Sequence, residues 1–126
     1  MTLADRGALW LPPLALMAVI FVLSAQPDLN SGLGLADLVG RKLVHCLEYA
    51  LLAFLWWRPL RTRIPARRAA LAALALASVY AATDEWHQSY VEGRHGTPID
   101  WALDSAGAAL AAWRLSSSSR RLEGVA

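Results

Sequence analysis

Charge is scarce in this chain of 126 residues: Asp, Glu, Lys and Arg make up 17% of it, against about a quarter of a typical soluble domain. That shortfall argues against a core wrapped in a water-facing charged surface. The net charge is only +2, which argues against a nucleic-acid partner, since such partners call for a strongly basic face. The one cysteine, Cys46, excludes an intrachain disulfide, and its apolar setting reads as a small packing residue. The chain also lacks a GxSxG or SxxK nucleophile motif, an HExxH metal motif and an internal repeat. Ser89 and Cys46 are therefore poor candidates for nucleophiles, and alternating-access transport is disfavoured.

What the chain does have is apolar length. It is 56% hydrophobic, with a mean hydropathy of +0.36. Four apolar segments stand out, at about 8–25, 39–57, 69–85 and 99–115, each near the length needed to cross a bilayer. The first could be mistaken for a secretory signal, but cleavage after Ala25 would put Leu23 where a small residue is required. Pro12 and Pro13 fall in its first turn, where a helix tolerates proline, so a retained helix is favoured. The expected fold is all-α: an integral membrane bundle of four transmembrane helices over residues 1–115. The tail "SSSSRRLEGVA", residues 116–126, reads as a disordered cytoplasmic end.

Orientation follows from the basic residues. With both termini cytoplasmic, nine Lys or Arg lie inside and three, Arg41, Lys42 and Arg94, lie outside; that is a positive-inside bias. The loop "RPLRTRIPARR" supplies five of the nine, and its two prolines are expected to end one helix and begin the next. Trp10, Trp56, Trp57 and Trp113 fall at inner helix ends, and Trp86 and Trp101 at outer ends, as an aromatic belt requires. The expected location is the cell membrane, as a multi-pass protein whose first partner is the lipid bilayer.

The acids sort the other way. Asp28, Asp37, Glu48, Asp84, Glu85, Glu92, Asp100 and Asp104 all fall on the outer side, with His45, His87 and His95. At 100° per residue, Lys42, His45, Glu48 and Tyr49 share one face of the second helix. Tyr80, Asp84, His87 and Gln88 share a face of the third, with Glu85 on its shoulder. Asp100 and Asp104 stack at i and i+4 on the fourth, and Gly107 and Ala111 continue that face with small residues that permit close helix approach. An ionised carboxylate facing hydrocarbon costs about 2.5–3.5 kcal/mol on insertion scales. The favoured arrangement turns these faces toward one another, making a polar pocket open to the outer surface. Glu48 would be its deepest charge, about 9 Å below Lys42.

These residues resemble the VanZ-like family of small integral membrane proteins. The likeness rests on "KLVHCLEY" (Lys42, His45, Tyr49), on "DEWHQ" (Asp84, Glu85, Gln88), and on Arg94, Asp100, Asp104 and Gly107. "SAQP" at residues 24–27 adds to it. The resemblance covers roughly residues 10–112 and implies a multi-pass membrane protein with a polar site. The family is named for an accessory determinant of resistance to teicoplanin. Asp104 stands where the family often carries Asn, and His87 is not part of the pattern.

The leading reading is recognition or modification of an amphiphilic cell-envelope molecule, with a role in glycopeptide susceptibility implied by the resemblance. In this reading Lys42, Tyr49, Gln88, Arg94, Asp100 and Asp104 bind. His45, Glu48, Asp84 and Glu85 are the candidates for acid–base chemistry. Two alternatives stay open. One is a metal- or carboxylate-dependent hydrolase or transferase on a lipid-linked substrate, with His45, Glu48, Asp84, His87 and Asp104 as candidate ligands for a divalent metal. The other is a structural or accessory membrane subunit, in which Lys42 and Arg94 neutralise Asp84, Glu85 and Asp100 only to hold the helices together.

Overall fold

The computed structural model describes residues 1–26, 34–91 and 97–125, except the side chains of residues 37, 38 and 123. Among the described residues it is all-helical. The helices are α1 (Leu3–Ala8), α2 (Leu11–Ser24), α3 (Leu35–Leu60), α4 (Ala66–Gln88) and α5 (Pro98–Val125).

Local chemistry accounts for most of the boundaries. Thr2 and Asp5 form a capping box at the start of α1, satisfying backbone N–H groups that have no partner inside the helix. Pro12 and Pro13 lie in the first turn of α2. Their rings clash with carbonyls one turn back, so α1 cannot run straight into α2. Gly34, at φ 59°, precedes α3, a backbone conformation open to glycine and rare for other residues. Pro59 is the penultimate residue of α3, and Pro65 caps the start of α4, so both prolines of the basic loop act as expected. The α5 start reads "TPID": the Thr97 hydroxyl accepts from the Asp100 N–H at 3.2 Å and donates to Asp100 Oδ2 at 2.8 Å. Pro98 fills the first helical position, where a missing N–H costs nothing.

The helical C-terminus corrects one expectation. Residues 116–125 are not a disordered tail, because α5 continues without a break to Val125. Once α5 is nucleated by packing, each added residue gains a backbone bond, and "SSSSRRLE" contains no proline to stop it. Ser119 donates its hydroxyl back to the Leu115 carbonyl at 2.9 Å, so even the serine run is accommodated in the helix.

Packing is reversed relative to a soluble bundle. The inward faces of α4 and α5 are built from small residues, with Ala69, Ala73, Ala77 and Ala81 along one stripe of α4 and Ala108 and Ala112 on α5, packed around Tyr49, Leu52 and Trp57 of α3 and Ile20 of α2. Many larger apolar side chains point outward: Leu47 is 69% exposed and Val79 64%, with Leu43, Val44, Leu71 and Leu110 likewise on the surface. Leu3–Ser24 is the one helical stretch among the described residues long and apolar enough to cross a membrane by length and composition. Charged side chains at the ends of α3, α4 and α5 dilute their apolar runs.

The tightest point of the bundle lies between α3 and α5. A Cβ built on Gly107 would collide with the backbone carbonyl of Cys46. The Cys46 thiol donates to the Leu103 carbonyl of α5 at 3.3 Å, consistent with its role as a packing residue. Trp57 is buried and donates from Nε1 to the Ala66 carbonyl at 3.1 Å, and Trp101 donates to the Ser78 carbonyl at 3.0 Å. These two tryptophans therefore pin helices together as well as standing at helix ends.

Because backbone on both sides cannot yield, Gly107→Ala is expected to destabilise the bundle by about 1–3 kcal/mol. Gly40, also helical, has open space around its Cβ direction, so Gly40→Ala should be neutral or stabilising by up to about 1 kcal/mol. Chemical unfolding of the two variants in detergent micelles, beside the wild type, checks the opposite signs.

Candidate functional site

The polar residues collect at the end of the bundle where α2 and α4 finish and α3 and α5 begin. Three connected groups can be traced there.

The first group joins α3 to α5. Lys42 Nζ donates to Asp100 Oδ1 at 2.5 Å. The other Asp100 oxygen takes the Thr97 hydroxyl, and the Thr97 N–H donates to Glu85 Oε2 of α4 at 3.2 Å. Glu85 thereby accepts one of the N–H groups at the start of α5, where the helix dipole favours a carboxylate. A single short stretch of α5 is tied to both neighbouring helices.

The second group is buried. Tyr49 donates its hydroxyl to Asp84 Oδ2 at 3.1 Å. Gln88, one turn further along α4, donates to the same oxygen at 3.2 Å and to the Ser24 hydroxyl of α2 at 3.3 Å. Asp84 is 3% exposed and Tyr49 fully buried. Both donors converge on one carboxylate oxygen, and Asp84 Oδ1 has no hydrogen-bond partner.

The third group centres on His45. His45 Nδ1 stands 3.9 Å from Glu48 Oε2 and 3.9 Å from Asp104 Oδ1. Asp104 is 1% exposed, and its Oδ2 has no hydrogen-bond partner, nor has His45 Nδ1. Buried polar atoms without partners are rare, because each costs about 1–3 kcal/mol. With His87 Nδ1 there are four such atoms at one end of the bundle, which mark that end as more than a set of helix clasps.

The residues expected to converge therefore do so: Lys42, His45, Glu48 and Tyr49 from α3, Asp84, Glu85 and Gln88 from α4, and Asp100 and Asp104 from α5. His87 turns instead to α2, where its ring stacks on Phe21 with centroids 4.4 Å apart and planes 12° from parallel. Among the described residues no group of three His, Cys, Asp or Glu converges with metal-holding geometry. Arg94, expected to bind, and Asp28, Glu92 and His95 lie outside the described residues. The site also uses three residues that periodicity did not single out. Thr97 carried a signal, the "TPID" capping pattern. Ser24 lay inside the "SAQP" motif. Phe21 had no signal beyond its place in an apolar run.

The sequence profile of the VanZ/LLP1 family matches residues 8–117. The chain belongs to the VanZ/LLP1 family. The match spans all of α3 and α4 and the part of α5 that carries Asp100 and Asp104. No curated protein and no solved structure matches the chain. The family is a membrane-associated one, in keeping with the apolar Leu3–Ser24 stretch.

The arrangement predicts unequal costs for its two kinds of polar contact. Tyr49→Phe removes a buried donor to a carboxylate and should destabilise the bundle by about 1.5–3 kcal/mol. Lys42→Met breaks a pair whose side chains are 37% and 28% exposed, and should cost less than about 1 kcal/mol. Unfolding both variants under identical micellar conditions gives the order directly.

Proposed function

We propose that this VanZ/LLP1 protein is a four-span membrane bundle with both termini in the cytoplasm. Its polar end recognises or modifies an amphiphilic cell-envelope molecule at the outer face of the membrane. The membrane reading is supported by the outward packing: many Leu and Val side chains of α3, α4 and α5 are exposed, while the alanine stripe of α4 and the carboxyl groups of Asp84 and Asp104 face inward. In water such a surface would be a large exposed apolar patch; in lipid it is the low-energy arrangement, because hydrocarbon offers the inward-facing groups no hydrogen bonds. The orientation is supported by nine basic residues on the loop and termini assigned to the cytoplasm, against three on the other side.

The observation that carries the ligand reading is the set of unpaired buried atoms, Asp84 Oδ1, Asp104 Oδ2 and His45 Nδ1. A network serving only to hold helices would be expected to pair them. A bound polar head could do so, and the apolar exteriors of the surrounding helices suit the tail of such a molecule. Modification, as opposed to recognition alone, draws on His45. Its Nδ1 faces two carboxyl groups at 3.9 Å, a spacing from which a small tightening would permit proton transfer. A role in glycopeptide susceptibility follows as one consequence of acting on an envelope molecule.

A second reading is favoured by the Lys42–Asp100 and Thr97–Glu85 contacts. In it the protein is a structural or accessory subunit, and its charges clasp three helices.

Native mass spectrometry of the protein extracted in mild detergent separates the two. Under the ligand reading the wild type carries a bound amphiphile at about one per chain, and Asp104→Asn and Glu48→Gln lose it while remaining folded. An empty wild type, together with variants that fail to fold, would establish the structural reading instead. Topology is checked independently by placing a cysteine at Ser118 in a Cys46→Ala background. In intact cells a membrane-impermeant maleimide should leave it unlabelled, and after permeabilisation label it.

A further inference from the structure

A cleft of about 570 Å³ opens between α2 and α4, next to the buried polar groups. Its walls are aromatic: Phe21 from α2, and Tyr80, Trp86 and Tyr90 from α4 and the turn that follows. Trp86 and Tyr90 meet edge to face with centroids 5.5 Å apart. The Tyr80 hydroxyl is engaged by the Met17 carbonyl, leaving its ring face as the surface it offers. Asp84 and His87 also line the cleft. Both bring a buried atom without a partner, Asp84 Oδ1 and His87 Nδ1.

The chemistry of this lining has one sign. A carboxylate attracts a cation, and so do the faces of aromatic rings. Among the described residues no Lys or Arg lines the cleft, so an anionic head would meet Asp84 with none of them to offset the repulsion. An ammonium bearing N–H groups can donate to both Asp84 Oδ1 and a neutral His87 Nδ1. A quaternary ammonium has the charge but no donor. Below the aromatic walls the same stripe of α4 continues at helical spacing through Thr83, Val79 and Leu76, and both apolar members are exposed. An alkyl tail lying along that stripe would cover them. The volume falls within the range of small-molecule pockets.

We propose that the cleft between α2 and α4 binds an amphiphile with a primary-amine head, held by Asp84 and His87 and walled by Phe21, Tyr80, Trp86 and Tyr90. This rests on the reading of the protein as an amphiphile binder in a membrane, and it specifies the head group that the Asp84 side of the site takes. Within it, Tyr49 and Gln88 are positioning residues: by occupying Asp84 Oδ2 they leave Oδ1 as the oxygen without a partner.

The test uses the full chain in an uncharged detergent, titrated with dodecylammonium, dodecyltrimethylammonium and dodecyl sulfate, with bound ligand counted by native mass spectrometry. The expected result is saturable binding of one dodecylammonium per chain, binding of the trimethyl compound at least about tenfold weaker for want of a donor, and no specific binding of dodecyl sulfate. Asp84→Asn should weaken dodecylammonium by about tenfold or more. Trp86→Leu with Tyr90→Leu, at side chains 67% and 73% exposed, should leave the fold intact and weaken it by about threefold or more. Should Asp84→Asn fail to fold, the double aromatic variant decides. Dodecyl sulfate binding as tightly as dodecylammonium, or a folded double variant that binds dodecylammonium like the wild type, overturns the proposal. A wild type that retains an envelope amphiphile yet takes no dodecylammonium overturns the amine head alone; one that retains neither overturns the wider amphiphile reading with it.

Discussion

The contact on which the rest depends is backbone against backbone, where Gly107 of α5 lies on the carbonyl of Cys46 in α3. A residue with a side chain there would hold the two helices apart. Their close approach sets the height of α5 against α3, and so places Asp104 opposite His45 and Asp100 opposite Lys42. The alanine stripe of α4 completes the seam, letting Asp84 reach Tyr49 across a gap no larger side chain would allow. Polar chemistry at one end of this bundle is thus a consequence of smallness further along it.

That economy has a thermodynamic cost. The alanine-lined faces of α4 and α5 bury little apolar surface per residue compared with leucine, so the hydrogen bonds and ion pairs at the polar end carry more of the burden of specifying which helix faces meet. Yet several polar atoms at that end are unpaired. A bundle held only by its clasps would be more stable with those atoms paired or replaced by apolar ones. Their retention fits a site in which stability is given up for readiness to bind, and it is the physical link between the architecture and the proposed activity. The aromatic cleft extends the same logic, since it places an unsatisfied carboxylate oxygen beside rings that favour a cation.

Much of this was legible in the chain before its structure. Helix periodicity grouped Lys42, His45, Glu48 and Tyr49, and prolines 59 and 65 marked the turn between α3 and α4. Small residues at Gly107 and beyond pointed to a close helix contact. The misreadings have physical causes. A serine-rich, basic tail has the composition of a disordered segment, but α5 enters it already nucleated and meets no proline, and no glycine before Gly124. His87 shares a helical face with Asp84, yet that face is wide enough for one side chain to meet α3 and the other to meet α2. The signal of Thr97 is a capping pattern, which helix periodicity does not weigh, and nothing in an apolar run distinguishes Phe21 as the ring that stacks on a histidine.

The sequence alone determined what is local: helices bounded by proline and by capping chemistry, one polar end, an excess of basic residues at the other, and membership of a family. These depend on spacing along one chain and on the preferences of single residues, which a linear pattern records. The tertiary structure decided which oxygen of Asp84 is paired and which is left open, which helix His87 faces, and that an aromatic cleft forms between α2 and α4. Those outcomes depend on the rotation and vertical offset of one helix against another. Periodicity is indifferent to both, and they are set only when small residues far apart in the chain come into contact.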